Sequence, residues 1–238
     1  MIQHVARSRL TLGVLAVVLA AAITLVLARP GESTDRCLTT TKRAEQRAAL
    51  VTGKGGQVLV IGDSYSVGAG AHPRESWPVR LPGRVRVAGF SGSGFSAGAS
   101  ACGDVSYGTR APAVLHQRGV HPTLVIVEGG LNDTDQPIAD VETGFERLLL
   151  SLDDLPTLVV GPPRAPARPA DRVDAVDAAL ARLAASHGTH YLSMLDVELT
   201  YADDDLHPDR AGHRVFGDVV AAEIERLWRG ATKVGDAV

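Results

Sequence analysis

The 238-residue sequence has few aromatic residues and little net charge. Phenylalanine, tryptophan and tyrosine make up 4% of the chain, and the formal net charge at pH 7 is −3. No dense stripe of lysine or arginine is present, which argues against a nucleic-acid partner. The scarcity of aromatics and the lack of a long apolar lid argue against a bulky lipid pocket. With 45% hydrophobic residues, the chain suits one globular domain with a substantial core.

Cysteine is equally scarce, since only Cys37 and Cys102 occur. Neither has the spacing of a metal ligand. In an oxidising compartment the two could pair with each other. Two isolated buried thiols are the alternative.

One long apolar run, Leu10–Ala28, lies near the N-terminus and follows Arg7 and Arg9. At helical rise its 19 residues span about 30 Å, the thickness of a hydrocarbon core. Signal peptides have shorter apolar runs, so we predict a membrane anchor over residues 1–29, with cleavage after Val26–Ala28 as the alternative. Both predict a domain outside the cytoplasm, anchored or secreted, although a simple count of flanking positive charges favours the opposite orientation.

The rest of the chain divides into a linker, a folded domain and a short tail. Residues 30–56 are polar and helix-prone around Thr41–Leu50, as in a stalk; residues 57–230 form the domain, and 231–238 the tail. Continuous apolar runs of three or four residues are typical of strands covered on both faces, as in parallel sheets. Five such runs recur in the domain: Val58–Ile61, Val85–Val87, Leu124–Val127, Leu158–Val160 and, more weakly, His190–Ser193.

Amphipathic segments with helical spacing alternate with these runs. They are Ile138–Leu152, Ala170–His187 and Asp209–Trp228. The alternation predicts an α/β fold: a three-layer α/β/α sandwich with a doubly wound, mostly parallel, five-stranded sheet of flavodoxin-like type. In such sheets the binding site lies beyond the carboxyl ends of the strands.

Four polar clusters follow the predicted strands at that edge. They are Gly62–Ser64, the glycine- and serine-rich loop Ser91–Ser100, Gly129–Asp133 and Asp203–Pro208. Because the carboxyl ends of parallel strands meet at one edge of a sheet, we expect these clusters to converge on one site.

Ser64, His207 and Asp204 have the chemistry of a nucleophile, its base and the acid that orients the base. A serine hydroxyl is barely ionised at neutral pH and needs a base, which His207 can supply. Asp204, three residues before His207, can bond the far ring nitrogen and hold its tautomer. Backbone N–H groups of the glycine-rich loop and the Asn132 amide can then stabilise an oxyanion.

These clusters resemble the four sequence blocks of the SGNH (GDSL-type) hydrolase family. The matching segments are VLVIGDSYSVGAG, GSGF, GGLND and DDLHPD, in the family's order, and the resemblance covers residues 57–228. It implies that Ser64 is the nucleophile and donates its N–H to the oxyanion. Gly94 and Asn132 would be the other oxyanion donors. His207 would be the base and Asp204 its orienting acid.

The glycine-rich loop leaves two alternatives. Gly94–Gly98 fits G-x-S-x-G, the turn that presents the nucleophile of many α/β-hydrolases. Flexible residues flank it on both sides, where that turn requires a strand and a helix, so we predict an oxyanion loop and no nucleophile at Ser96. The block itself matches loosely, because the asparagine that the family often has there is missing from Val87–Gly89. Gly92 is therefore an alternative to Gly94.

Other polar residues have simpler explanations. Asn132–Thr134 fits a glycosylation sequon, which conflicts with a converging site. Asp203–Asp205 lacks the alternating ligands of a calcium loop, and His187 and His190 have no third zinc ligand. Asp63 is expected to be structural. We predict neither a metal nor an organic cofactor.

Together these features predict a serine esterase that acts through an acyl-enzyme. The expected substrates are short acyl esters, such as acetyl esters of envelope carbohydrate or small lipid esters. An acyltransferase on the same scaffold and a non-catalytic envelope-binding module are the alternatives. The sequence leaves the oligomeric state open.

Overall fold

A computed structural model describes residues 33–235 of the chain, with side chains to residue 230. The predicted anchor over residues 1–29 lies outside the described residues. The chain divides into a unit that ends at Thr39 and a second unit, Thr40–Val238, whose fold is given below. None of the helices in the described part combines the length and the apolar content that a membrane crossing requires.

Five strands form one parallel sheet in the order β2-β1-β3-β4-β5. This order confirms the predicted flavodoxin-like arrangement, in which the strand order reverses between β1 and β3. All five predicted runs are strands. Their bounds are β1, Gln57–Gly62; β2, Arg84–Gly89; β3, Leu124–Glu128; β4, Thr157–Val160; and β5, His190–Leu192.

In the described part of the chain, six α-helical segments and two short 3₁₀ helices, Trp77–Arg80 and Leu131–Asp133, accompany the sheet. The three predicted amphipathic segments are helical, whereas the helix Tyr107–Leu115 was not predicted. Gly108 and Pro112 lower the helix propensity of that segment, and burial of its apolar face compensates. The segments are α1, residues 33–49; α2, Ser64–Val67; α3, Tyr107–Leu115; α4, Ile138–Leu152; α5, Ala170–Ser186; and α6, Arg210–Gly235.

The sheet is covered on both faces, which confirms the three-layer sandwich. Alternate residues of β1 point to opposite sides, as the pleat requires. Val58 and Val60 belong to a core shared with Phe216 and Ile224 of α6. Leu59 and Ile61 belong to the opposite core, built with α3, α4 and α5. The central strands β1 and β3 are buried almost throughout, which explains their continuous apolar runs.

The end of the predicted stalk lies against the sheet. Thr52 and Val85 exchange backbone hydrogen bonds of 3.1 and 2.8 Å in an antiparallel bridge. Arg47, also in the predicted stalk, is buried, and its Nη1 donates to the carbonyl of Leu50 at 3.0 Å. These residues therefore pack as part of the second unit. The domain boundary at residue 57 stays a prediction.

Cys37 and Cys102 are both disulfide-bonded, and the described residues contain no free cysteine. The alternative of two isolated thiols is thereby excluded.

Gly144 of α4 provides a test of the packing between this helix and the glycine-rich loop. A Cβ at this position would overlap the carbonyl oxygen of Phe95. We expect Gly144→Ala to lower the free energy of unfolding by about 1–3 kcal/mol, measured by urea denaturation. Gly230→Ala in α6 is the control, because no atom lies within 4 Å of its Cβ position and alanine favours helix. A Gly144→Ala variant as stable as Gly230→Ala would contradict this packing.

Candidate active site

The turn after β1 presents Ser64 at the carboxyl edge of the sheet. The carboxylate of Asp63 caps α2, because its Oδ1 accepts the backbone N–H of Tyr65 at 2.9 Å. Ser64 is the first residue of that short helix and is 7% exposed. It lies beside the point where the strand order reverses, which is where ligands bind in open α/β sheets. Its hydroxyl therefore lies at the expected position of a site.

Ser64, His207 and Asp204 form a hydrogen-bonded chain. The Ser64 Oγ is 3.0 Å from His207 Nε2, and His207 Nδ1 is 2.6 Å from Asp204 Oδ2. Ser64 is buried, whereas the Asp204 side chain is about half exposed. The three side chains have the connectivity of a nucleophile, a base and an orienting acid.

Asp204 is an ionised acceptor in this chain. Its Oδ1 accepts the backbone N–H groups of His207 and Leu206 at 2.9 and 3.0 Å. Bonds from the backbone and the ring of His207 lower the pKa of Asp204 to about 2. A carboxylate at neutral pH accepts the proton on Nδ1, so Nε2 of the neutral ring is left to accept the proton of Ser64.

Two further hydrogen bonds hold the segment after β1 against the loop of His207 and the first turn of α6. The buried hydroxyl of Tyr65 donates to the carbonyl of Leu206 at 2.6 Å, which joins residues 141 positions apart. The His213 Nε2 lies 2.9 Å from the carbonyl oxygen of Ala69. Sequence reasoning missed Tyr65, and its position directly after Ser64 was the only signal available. These bonds fix the separation between Ser64 and His207.

The loop after β2 presents unpaired backbone donors. Ser93 N–H bonds the Phe90 carbonyl at 3.1 Å, and Gly92 has a φ of 81°, as the third residue of a type II turn requires. Within the described residues, the N–H groups of Gly92, Gly94 and Ser64 donate no hydrogen bond. Such free donors at the edge of a site are suited to binding an anion.

Asp133 is completely buried and holds the second half of this loop. Its carboxylate accepts the N–H of Phe95 at 3.0 Å, the N–H of Ser96 at 2.9 Å and the Ser96 hydroxyl at 2.5 Å. A Cβ at Gly94 would overlap the same carboxylate. Gly94 is therefore required for close packing, and in the described part of the chain Ser96 hydrogen-bonds an acid and no histidine. Sequence reasoning identified Asp133 only as part of the GGLND block.

Asn132 links the third cluster to the first two. Its Nδ2 donates to Asp63 Oδ2 at 3.1 Å and to the Ser93 carbonyl at 2.9 Å. Both amide protons are thus in use, one of them at the loop with the free N–H groups. Asp63 orients Asn132 as well as capping α2, so it is structural, as expected, and positions two site residues.

Glu128, at the end of β3, is a second buried acid beneath the nucleophile turn. Its carboxyl group accepts the Ser66 hydroxyl at 2.5 Å, and the nearby backbone N–H groups of Asp63 and Ser66 act to lower its pKa. Burial raises the pKa of Glu128 well above its ordinary value. Burial likewise raises the pKa of Asp63 to about 7, although Arg110 and Arg168 lower it in part. The turn is therefore supported by carboxyl groups that bind protons tightly.

The family follows from the sequence match. The sequence model of the GDSL-like lipase/acylhydrolase family matches residues 60–215, well over half of the chain. The protein therefore belongs to the GDSL-like lipase/acylhydrolase family and is a hydrolase, as the resemblance implied. A search of curated proteins found no match.

Solved structures with the same fold include several esterases. A carbohydrate acetylesterase from Sinorhizobium meliloti is 17% identical, with a TM-score of 0.59 over 73% of this chain and 100% of that one. The aryl esterase of M. smegmatis is 17% identical, with a TM-score of 0.57 and the same coverage. A psychrotrophic esterase from Pseudoalteromonas sp. is 20% identical, with a TM-score of 0.60 over 74% and 100%. These similarities establish the fold.

Glu128 allows a test of the buried acids by their pH dependence. Because its pKa is raised on folding, the folded protein binds this proton more tightly than the unfolded chain. Its contribution to stability is full below the unfolded pKa of about 4.3 and is lost as the pH rises towards the folded value. Glutamine has a similar size and does not titrate. We expect the free energy of unfolding of wild type minus that of Glu128→Gln to fall as the pH rises above about 5, measured by urea denaturation. A difference that is constant or rises would contradict the raised pKa.

Proposed function

We propose that the protein is a serine esterase in which Ser64 attacks the carbonyl of a carboxylic ester. The observation that carries this proposal is the 3.0 Å hydrogen bond between Ser64 Oγ and His207 Nε2, extended by Asp204. In the first step His207 takes the hydroxyl proton and then gives it to the departing alcohol, which leaves an acyl-enzyme on Ser64. Water that gives its proton to His207 then releases the acid and restores the serine. Asp204 stabilises the imidazolium of each step.

The oxyanion of each tetrahedral intermediate needs donors at the same edge. We assign this role to the N–H of Ser64, the N–H of Gly94 or of its alternative Gly92, and the side chain of Asn132. The carboxyl group of Asp133 lies against Gly94 and opposes negative charge there, which favours Gly92. Asn132 contributes by transferring to the oxyanion the hydrogen bond that the Ser93 carbonyl now accepts.

The substrate class we propose is a short acyl ester, such as an acetyl ester of envelope carbohydrate or a small lipid ester. A cavity of about 500 Å³ adjoins Asn132, and small side chains such as Ala99 and Ala167 line it together with charged ones. Among the described residues, no aromatic side chain lines this cavity. A mixed polar lining of this kind suits a small or polar substrate better than a long alkyl chain.

Paired serine variants test the assignment of the nucleophile. Ser64→Ala should lower kcat for p-nitrophenyl acetate by about four orders of magnitude, because the attacking oxygen is lost. Ser96→Ala should change kcat by less than about threefold and lower the free energy of unfolding by about 1–3 kcal/mol, since the buried Asp133 loses a donor. Comparable losses of kcat in both variants would contradict the assignment of the nucleophile. The acyl length that the enzyme prefers would be defined by a series of esters from acetyl to long acyl.

We also propose that the catalytic domain is exported, either anchored by the apolar run Leu10–Ala28 or released by cleavage after Ala28. The disulfide-bonded state of Cys37 and Cys102 supports an oxidising compartment, because cytosolic reductants keep such thiols reduced. If the domain is anchored, protease added to intact cells should degrade it while a cytoplasmic marker protein stays intact. If it is released, it should be found in the medium. A domain that stays with the cells and is degraded only after lysis would contradict export.

A further inference from the structure

The loop between β4 and α5 places Arg168 beside the catalytic residues. The Arg168 Nε donates to the carbonyl of Leu131, the residue before Asn132, at 3.1 Å. The neighbouring residue Ala167 donates its N–H to the carbonyl of Asp205, in the loop of the catalytic histidine, at 2.9 Å. Arg168 is therefore held between the two loops that supply Asn132 and His207.

The guanidinium of Arg168 has unused donors in this position. Only its Nε is bonded, and within the described residues its Nη1 and Nη2 have no protein acceptor. Arg168 and Arg172 line the 500 Å³ cavity that Asn132 also lines, whereas Asp135 is the only acid among the lining residues. Two parallel N–H groups of an arginine match the oxygens of a carboxylate or a phosphate.

The charge of Arg168 also acts on the nucleophile turn. It is one of two arginines whose positive charge lowers the pKa of Asp63, the residue before Ser64. By contrast, Arg164 of the same loop is already neutralised, because it pairs with Asp174 at 3.0 Å and with Asp196 at 3.3 Å. Of Arg164 and Arg168, only Arg168 has no ion pair in the described part of the chain. Its charge therefore remains available to the site.

A second cavity, of about 640 Å³, lies beside the histidine loop and is rich in arginine as well. Asp209 and Arg210, which follow His207 closely, line it together with Arg74 and Arg214. Arg210 pairs with Glu75 at 3.0 Å. Ser64, Asn132, Asp204 and His207 are not among its lining residues, so its arginines serve as a comparison for a charge close to the site but outside it.

We infer that Arg168 binds an anionic group of the substrate, a carboxylate or a phosphate, next to the ester that Ser64 attacks. The inference rests on the proposed esterase function and specifies its substrate class as negatively charged esters. The anionic group can belong to the acyl part or to the alcohol part, and both present the same oxygens to the guanidinium. Arg168 is thus a specificity-determining residue of this site.

The test compares anionic and neutral esters of matched size in wild type and Arg168→Gln. For the acyl part the pair is the p-nitrophenyl ester of succinic acid monoamide and that of succinate. For the alcohol part it is the acetyl ester of 4-hydroxybenzamide and that of 4-hydroxybenzoate. In at least one pair, we expect Arg168→Gln to lower kcat/KM for the anionic ester by about tenfold or more, the value of a charge-assisted hydrogen bond. The ratio of kcat/KM for the anionic ester to kcat/KM for its neutral partner should therefore fall by about tenfold or more in that pair.

Two control variants separate a local contact from a general charge effect. Arg164→Gln removes a paired charge from the same loop, and Arg214→Gln removes a charge from the second cavity. Both should leave the ratio of anionic to neutral kcat/KM within about threefold of wild type, because weak screened interactions carry little energy. An equal fall in that ratio in Arg214→Gln and Arg168→Gln would overturn the inference.

The remaining outcomes distinguish this inference from the proposed function. If Arg168→Gln slows anionic and neutral esters equally, Arg168 only supports the Leu131 loop and the inference is wrong while the esterase proposal stands. If wild type hydrolyses the neutral esters and the ratio is unchanged in the variant, the inference is also wrong. If wild type hydrolyses none of the four esters, the esterase proposal fails with it.

Discussion

A hydroxyl and an imidazole that lie 143 positions apart in the chain are held 3.0 Å from each other, and the proposed chemistry depends on that distance. A parallel sheet makes this possible, because it brings the carboxyl ends of β1 and β5 to one edge although three strands and their helices intervene. Tyr65 adds a direct link between the two segments, because its hydroxyl donates a hydrogen bond to the loop of His207. Ser64 and His207 are therefore also connected through their chain neighbours, Tyr65 and Leu206.

Buried carboxyl groups also stabilise the loops at the carboxyl edge of the sheet. Strand ends leave backbone N–H groups that need acceptors when they are shielded from water. Asp63 and Asp133 supply them to the turn of Ser64 and the loop of Gly94, and Glu128 accepts the hydroxyl of Ser66 in the same turn as Ser64. Their burial is costly unless every oxygen is bonded, so each acid tolerates only one arrangement of its loop. Such acids hold the backbone donors in place before substrate arrives.

The sequence predicted most of the fold because the central strands are covered on both faces and therefore read as continuous apolar runs. It pointed to Ser64, Asp204, His207 and Asn132 because four polar blocks follow the strands in the order of the family, and the structure brings these side chains to one edge of the sheet. It did not predict α3, whose glycine and proline conceal the helical pattern. The roles of Tyr65 and Arg168 were not predicted, because each depends on a contact between loops that are distant in the sequence. Such a contact leaves no pattern in the local spacing of residues.

The central claim is that Ser64 is made nucleophilic by His207. Its most direct measurement is covalent labelling by a fluorophosphonate, followed by peptide mass spectrometry. If His207 activates Ser64, we expect one phosphonyl adduct per chain, located on Ser64, and a labelling rate that falls by orders of magnitude in a folded His207→Gln variant. An adduct on another serine, or labelling of Ser64 at the wild-type rate without His207, would contradict it.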